Sequence, residues 1–127
     1  MNEANLVPFL AEAAKWSRAN ADVLADTHWL GGDPAKAEVY GWASWSKRKG
    51  ILALRNPSDQ AASIVLDIGA AFELPAGAAP TYLLRSPWQQ DAVAAPIRLA
   101  AGQRHTFELK AFQVLTFDAT PEPAVRR

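Results

Sequence analysis

A chain of 127 residues, 50% hydrophobic and 20% charged, is long enough to bury one core and too apolar to stay disordered. Thirteen basic and thirteen acidic side chains cancel, so no overall field draws the chain to phosphate backbones or anionic lipid, and neither nucleic acid nor a membrane surface is an expected partner. The absence of cysteine removes disulfides, thiolate nucleophiles and Cys-ligated metal sites together.

No apolar run reaches bilayer length, and no basic segment followed by an apolar one opens the chain. Localisation stays open, since a secreted or periplasmic destination would need a leader upstream of Met1. From Leu6 to Leu24 the apolar residues Leu6, Phe9, Leu10, Ala13, Trp16, Val23 and Leu24 share one arc at helical spacing, with Glu12, Lys15, Arg18 and Asp22 opposite. Asn5 suits the N-cap and Pro8 the first turn, which predicts an amphipathic helix. Asp26 to Ala37 collects Gly31, Gly32, Asp33 and Pro34 and predicts a loop.

Beyond Val39 the period changes to two. Val39–Trp45 and Ile51–Arg55, separated by Lys47-Arg48-Lys49-Gly50, predict a hairpin. Asn56-Pro57-Ser58-Asp59 predicts a turn, Ser63–Ile68 a strand and Phe72–Leu74 a further short one. Thr81–Arg85 follows as another, then an irregular stretch from Ser86 to Pro96. Ile97–Leu99, His105–Leu109 and Phe112–Phe117 complete the pattern. Short strands at roughly ten-residue intervals predict a mainly-β, antiparallel, Greek-key-like sandwich of seven or eight strands behind one N-terminal helix. The expected division is residues 1–30 for the helix and its connection, 31–120 for the sandwich, and 121–127 for a frayed tail.

Catalytic signatures are sparse. His28 lies near Asp26 and Asp33, a grouping better suited to loop capping than to a metal, and His105 reads as a surface residue. Glu38, Asp67, Glu73 and Glu108 fall where alternation places a solvated face rather than a glycosidase carboxylate pair. No phosphate loop, nucleophile elbow or zinc motif occurs, and no pattern calls for a cofactor. The basic run at Lys47-Arg48-Lys49 reads as a solvated hairpin tip. Aromatics are the positive oddity. Trp29, Tyr40, Trp42 and Trp88 are candidate carbohydrate-stacking residues, because the C–H faces of sugar rings pack on π systems. Strand alternation puts Tyr40 and Trp42 on one face and Trp45 on the other. The competing reading is that these rings fill an alanine-rich core.

Trp16, the stretch Ala21–Pro34, Val39-Tyr40-Gly41-Trp42-Ala43-Ser44-Trp45 and Leu54-Arg55-Asn56-Pro57-Ser58 together resemble the end of bacterial α-galactosidase-clan proteins, some of them enterotoxin-like. In these a TIM barrel is followed by a C-terminal β-sandwich. The resemblance implies that the Leu6–Leu24 helix is like the last barrel helix, and that the rest is a non-catalytic accessory domain. The clan's nucleophile and acid/base, both aspartates at barrel strand ends, would precede Met1, so no residue here inherits either role. The implied partner is a catalytic barrel. An isolated chain would instead have to fold the helix onto the sandwich or self-associate through it, because Phe9, Leu10 and Trp16 need cover.

Overall fold

The computed structural model describes the backbone of residues 3–122 and the side chains of residues 10–122. Leu6 and Phe9 of the predicted stripe lie outside the described side chains, and residues 123–127 of the predicted tail lie outside the described chain.

Helix α1 covers Glu3–Ala19 and a further turn, α2, covers Ala21–Leu24. The single helix predicted to Leu24 is therefore broken at Asn20. That residue is 3% exposed, and its side-chain amide donates to the Trp16 carbonyl at 2.8 Å. An asparagine bonded to nearby backbone offers the chain an alternative to continuing the helix.

Eight strands follow: β1 Thr27–Gly31, β2 Tyr40–Trp45, β3 Gly50–Arg55, β4 Ala62–Asp67, β5 Thr81–Arg85, β6 Ile97–Ala100, β7 Arg104–Leu109 and β8 Val114–Pro121. Every pairing is antiparallel. They form a six-stranded sheet, ordered β1-β2-β3-β8-β5-β6, and a two-stranded ribbon of β4 and β7. This is the mainly-β sandwich that the alternation predicts.

Three local expectations are corrected. Asp26 to Ala37 is not loop throughout, because β1 pairs with β2 from Thr27 opposite Ser44 to Gly31 opposite Tyr40. An edge strand of five residues carries little periodic signal, and its partner supplies the hydrogen bonds that define it. Gly31, with φ of 90°, starts the turn, and Asp33 accepts the Ala35 N–H at 2.9 Å to cap a 3-10 turn at Pro34–Lys36.

Phe72–Leu74 is not a strand. Asp67 accepts the Gly69 N–H at 2.9 Å and starts a helical turn, α3, at Ile68–Ala71. That turn delivers Phe72 to the core at 2% exposure. The last strand begins after Phe112, which sits in a left-handed turn conformation at φ 58°, and it runs on to Pro121. Its length is set by two neighbours: β3 pairs with Val114–Ala119, and β5 with Asp118–Pro121. Glu122, in the predicted tail, is held by its N–H to the Thr81 carbonyl and by Arg98 at 2.9 Å.

The core lies between the sheet and the ribbon. Leu52 and Leu54 of β3, Tyr82 and Leu84 of β5, Leu99 of β6 and Ala119 of β8 meet Phe107 and Leu109 of β7, all buried. Burying such side chains is the main driving force for the fold, at about 1.5–3 kcal/mol for each large one. At Gly41 a Cβ would lie 1.9 Å from the Ala53 carbonyl oxygen. Strands β2 and β3 thus meet there more closely than any side chain allows.

The opposite face of the six-stranded sheet carries α1 and α2. Trp16 Nε1 donates to Asp118 at 3.1 Å, Val23 is fully buried, and Thr27 and Ser44 hydroxyls meet at 2.6 Å. The basic hairpin tip does more than keep a loop wet. Arg48 grips Asp22 at 2.8 Å and donates to the Asn20 side chain and the Ala19 carbonyl, while Lys49 meets Asp118 at 2.9 Å. Cationic groups at the C-terminus of α1 also complement its dipole.

Candidate functional site

Three of the four candidate aromatics converge. Antiparallel register sets Trp29 of β1 opposite Trp42 of β2, and two-residue alternation adds Tyr40 to the same outer face. Trp29 stacks on Tyr40 with centroids 4.8 Å apart and planes 8° apart. Trp42 stands edge-on to both, at 5.5 Å, with interplanar angles of 87° to Trp29 and 79° to Tyr40. Trp29 and Trp42 are 47% and 41% exposed, whereas Tyr40 is 7% exposed. The two indoles therefore face solvent outside the core, but their perpendicular planes do not make one flat platform. Arg55, opposite Tyr40 across the β2–β3 pair, donates to the tyrosine hydroxyl at 3.3 Å.

Trp88 lies elsewhere. Its ring meets Trp16 of α1 at 5.3 Å and 66°, in the segment after β5, where Ser86 donates to Asp91 at 2.6 Å and accepts the Trp88 N–H. Glu12 of α1 accepts the Gln89 N–H, which ties the same segment to the helix. Trp45, facing inward, donates through Nε1 to the Tyr82 hydroxyl at 3.0 Å.

Several of the acids and both histidines have structural partners. His28 bonds the Ala71 carbonyl through Nε2 at 2.6 Å, which makes Nε2 the protonated nitrogen and leaves Nδ1 3.9 Å from Glu73. The structure separates His28 from Asp33, which caps its own turn. Among the described residues no group of three His, Asp or Glu side chains is arranged to hold a metal ion. Asp67 accepts the Gly69 and Gly102 N–H groups, both at 2.9 Å, Glu38 accepts the Asp33 N–H, and Asp118 takes Lys49 and Trp16. His105 packs its ring on Phe107 at 4.7 Å. The hydrogen bond from Arg48 holds the Asp22 carboxyl below its ordinary range and raises the guanidinium in turn.

Sequence reasoning did not find the hollow between α1, β8 and the segment after β5, about 600 Å³ in volume, which Arg85, Trp88, Asp91 and Thr116 help to line. No single stretch of sequence holds its walls. The only readable signal was an irregular run around Trp88.

No protein-family model matches the chain, and no curated protein matches it. A solved structure from Bacillus halodurans C-125, named a "putative alpha-N-acetylgalactosaminidase", is similar at 18% identity with a TM-score of 0.56. The similarity covers 76% of this chain and 21% of that one, so this chain spans about a fifth of the protein it matches, and what the two share is a fold.

Proposed function

We propose that this chain is a non-catalytic accessory domain of a glycoside hydrolase-like protein, supporting an adjoining catalytic barrel. The observation that carries this reading is the shared fold with one-fifth of a much longer glycosidase-like chain. Consistent with it, Asp22, Asp67, Asp91, Asp118 and Glu122 are each engaged by structural partners rather than aimed at one another across a cleft. The uncovered part of the outer sheet face, with Trp29, Trp42 and Val114 exposed beside the helix, is the kind of surface a second domain covers.

The test begins with the reading frame upstream of Met1, which should encode a barrel with two strand-end aspartates. The continuous protein should hydrolyse nitrophenyl α-N-acetylgalactosaminide or α-galactoside, and this chain alone should not. Deleting the sandwich should lower the barrel's Tm. Turnover by this chain alone, or a barrel equally stable without it, would overturn the proposal.

A second reading is favoured by the cluster of Trp29, Tyr40 and Trp42. In this reading the two exposed indoles contact a sugar, with one presenting its face and the other its edge. Fluorescence titration with galactose-containing oligosaccharides should show a saturable shift that Trp42→Ala removes. No shift at millimolar sugar would sink this version and leave the supporting role standing.

A further inference from the structure

We infer that the open edge of β8 from Val114 to Phe117 is a binding site for a neutral, extended peptide segment, which joins the sheet there as a short strand. The inference goes beyond the supporting role and does not depend on it.

The site follows from strand register. Strand β8 has eight residues and β5 only five. One side of β8 pairs with β3 from Val114 to Ala119, while the other pairs with β5 from Asp118 to Pro121 alone. In an antiparallel ladder the backbone groups of successive residues point to opposite sides. The Asn56 N–H donates to the Gln113 carbonyl, so Gln113, Leu115 and Phe117 face β3. The Glu122 N–H donates to the Thr81 carbonyl, so residues two, four, six and eight positions before it face the other way. Val114 and Thr116 therefore each turn an N–H and a carbonyl to a position where no strand lies. Among the described residues neither has a hydrogen-bond partner on that side. Strand β5 does not fill the position, because beyond Arg85 the chain leaves the sheet: Ser86 accepts the Trp88 N–H, and Pro87 has no N–H to donate.

The hollow of about 600 Å³ lies along this edge, with Val114 to Phe117 as one wall and Ala13, Ala94 and Ala95 among the others. Two donors and two acceptors recurring about 6.6 Å apart, the rise of two strand residues, match the repeat of an extended peptide backbone. On the inner side such a segment would lie beside Leu84, Leu115 and Phe117, which favours apolar residues at alternate positions. Arg85 and Asp91 both line the hollow, so their charges balance and a segment without net charge fits. Val114 to Phe117 has neither the charge nor the proline with which edge strands commonly repel a partner. The recess between α1 and the segment after β5 admits one strand and keeps out the broad sheet edge of a second copy.

Fluorescence polarisation of labelled acetyl-Val-Thr-Val-Thr-Val-amide, titrated with the full chain to millimolar concentration, tests the site. The valines suit the inner side and the threonines the outer, where residues opposite Val114 and Thr116 belong. Binding should be saturable. N-methylation of the two threonines blocks the N–H groups that face β8 and should weaken it at least tenfold, whereas N-methylation of the middle valine should cost far less. Thr116→Pro removes the N–H that faces the hollow and no bond to β3, so it should fold and lose affinity to the same degree. If that variant fails to fold, the two methylated peptides still decide. Absence of saturable binding would overturn the inference, as would equal losses from the two methylations or undiminished binding by folded Thr116→Pro. Self-association of the chain that Thr116→Pro abolishes would assign the edge to a second copy and overturn it too. None of these outcomes bears on whether the domain stabilises a barrel.

Discussion

Replacing Asn56 tests how the strands are tied together. The side chain is fully buried at the end of β3. Its Oδ1 accepts the Ser58 N–H at 3.0 Å, and its Nδ2 donates to the Gln60 carbonyl at 2.8 Å and the Lys110 carbonyl at 3.0 Å, with a longer approach to Leu109 at 3.4 Å. One amide therefore joins the turn after β3 to the end of β7. Asn56→Ala removes three good hydrogen bonds, each worth about 1 kcal/mol, and strands their partners, so a loss of about 3 kcal/mol is expected. Over 127 residues, an unfolding entropy of about 2.1 cal/mol/K per residue converts this into a Tm drop of roughly 11 °C. Urea and thermal denaturation followed by far-UV circular dichroism measure it. Asn56→Asp should be at least as damaging at neutral pH, because a buried carboxylate would face backbone carbonyls, and it should regain stability as acid protonates it. A change below about 0.5 kcal/mol in Asn56→Ala, the range of ordinary surface substitutions, would refute the assignment of Asn56 as the tie.

Gly41→Ala should destabilise by about 1–3 kcal/mol or prevent folding, since its Cβ would meet the Ala53 carbonyl at 1.9 Å; a chemical-denaturation midpoint equal to the parent's would contradict that approach. Trp16→Phe keeps an aromatic side chain but loses the Nε1 bond to Asp118 and part of the indole packing on Trp88, and equilibrium unfolding in urea should register a loss of at least about 1 kcal/mol. Asp22 has a carboxyl lowered by Arg48 from the ordinary 3.8, so its contribution is fully present above that value and fades as pH falls through the lowered one. Asp22→Asn should flatten this acid limb of the Tm profile, and an unchanged slope below pH 4 would show that the Arg48 clamp does not act in solution.

Legibility differed by element. The hairpin of β2 and β3 was readable because Lys47 to Gly50 separates two apolar runs, and β4 through β7 because alternation and turn residues coincide. β1 was not, since Thr27–Gly31 has no pattern of its own and becomes a strand only by pairing with β2. Phe72 looked like strand because aromatic residues favour sheets, yet the Asp67 cap turns the chain one residue before Ile68. For the candidate site, alternation placed Tyr40 and Trp42 together. It could not add Trp29, which arrives from the neighbouring strand, or remove Trp88, which packs on α1.

Residue order by itself determined the class of the molecule: a helix by its 3.6-residue stripe, a sandwich by period-two strands and frequent turns, and a charge balance that leaves no overall field. These are local properties, decided by neighbours within a few positions. Tertiary structure alone decided which face the helix covers, that Arg48 clamps it, that β8 bridges two hairpins, and that a cleft opens beside Trp88. Each depends on residues far apart in the chain, such as Trp16 and Asp118, meeting through packing that no local spacing encodes.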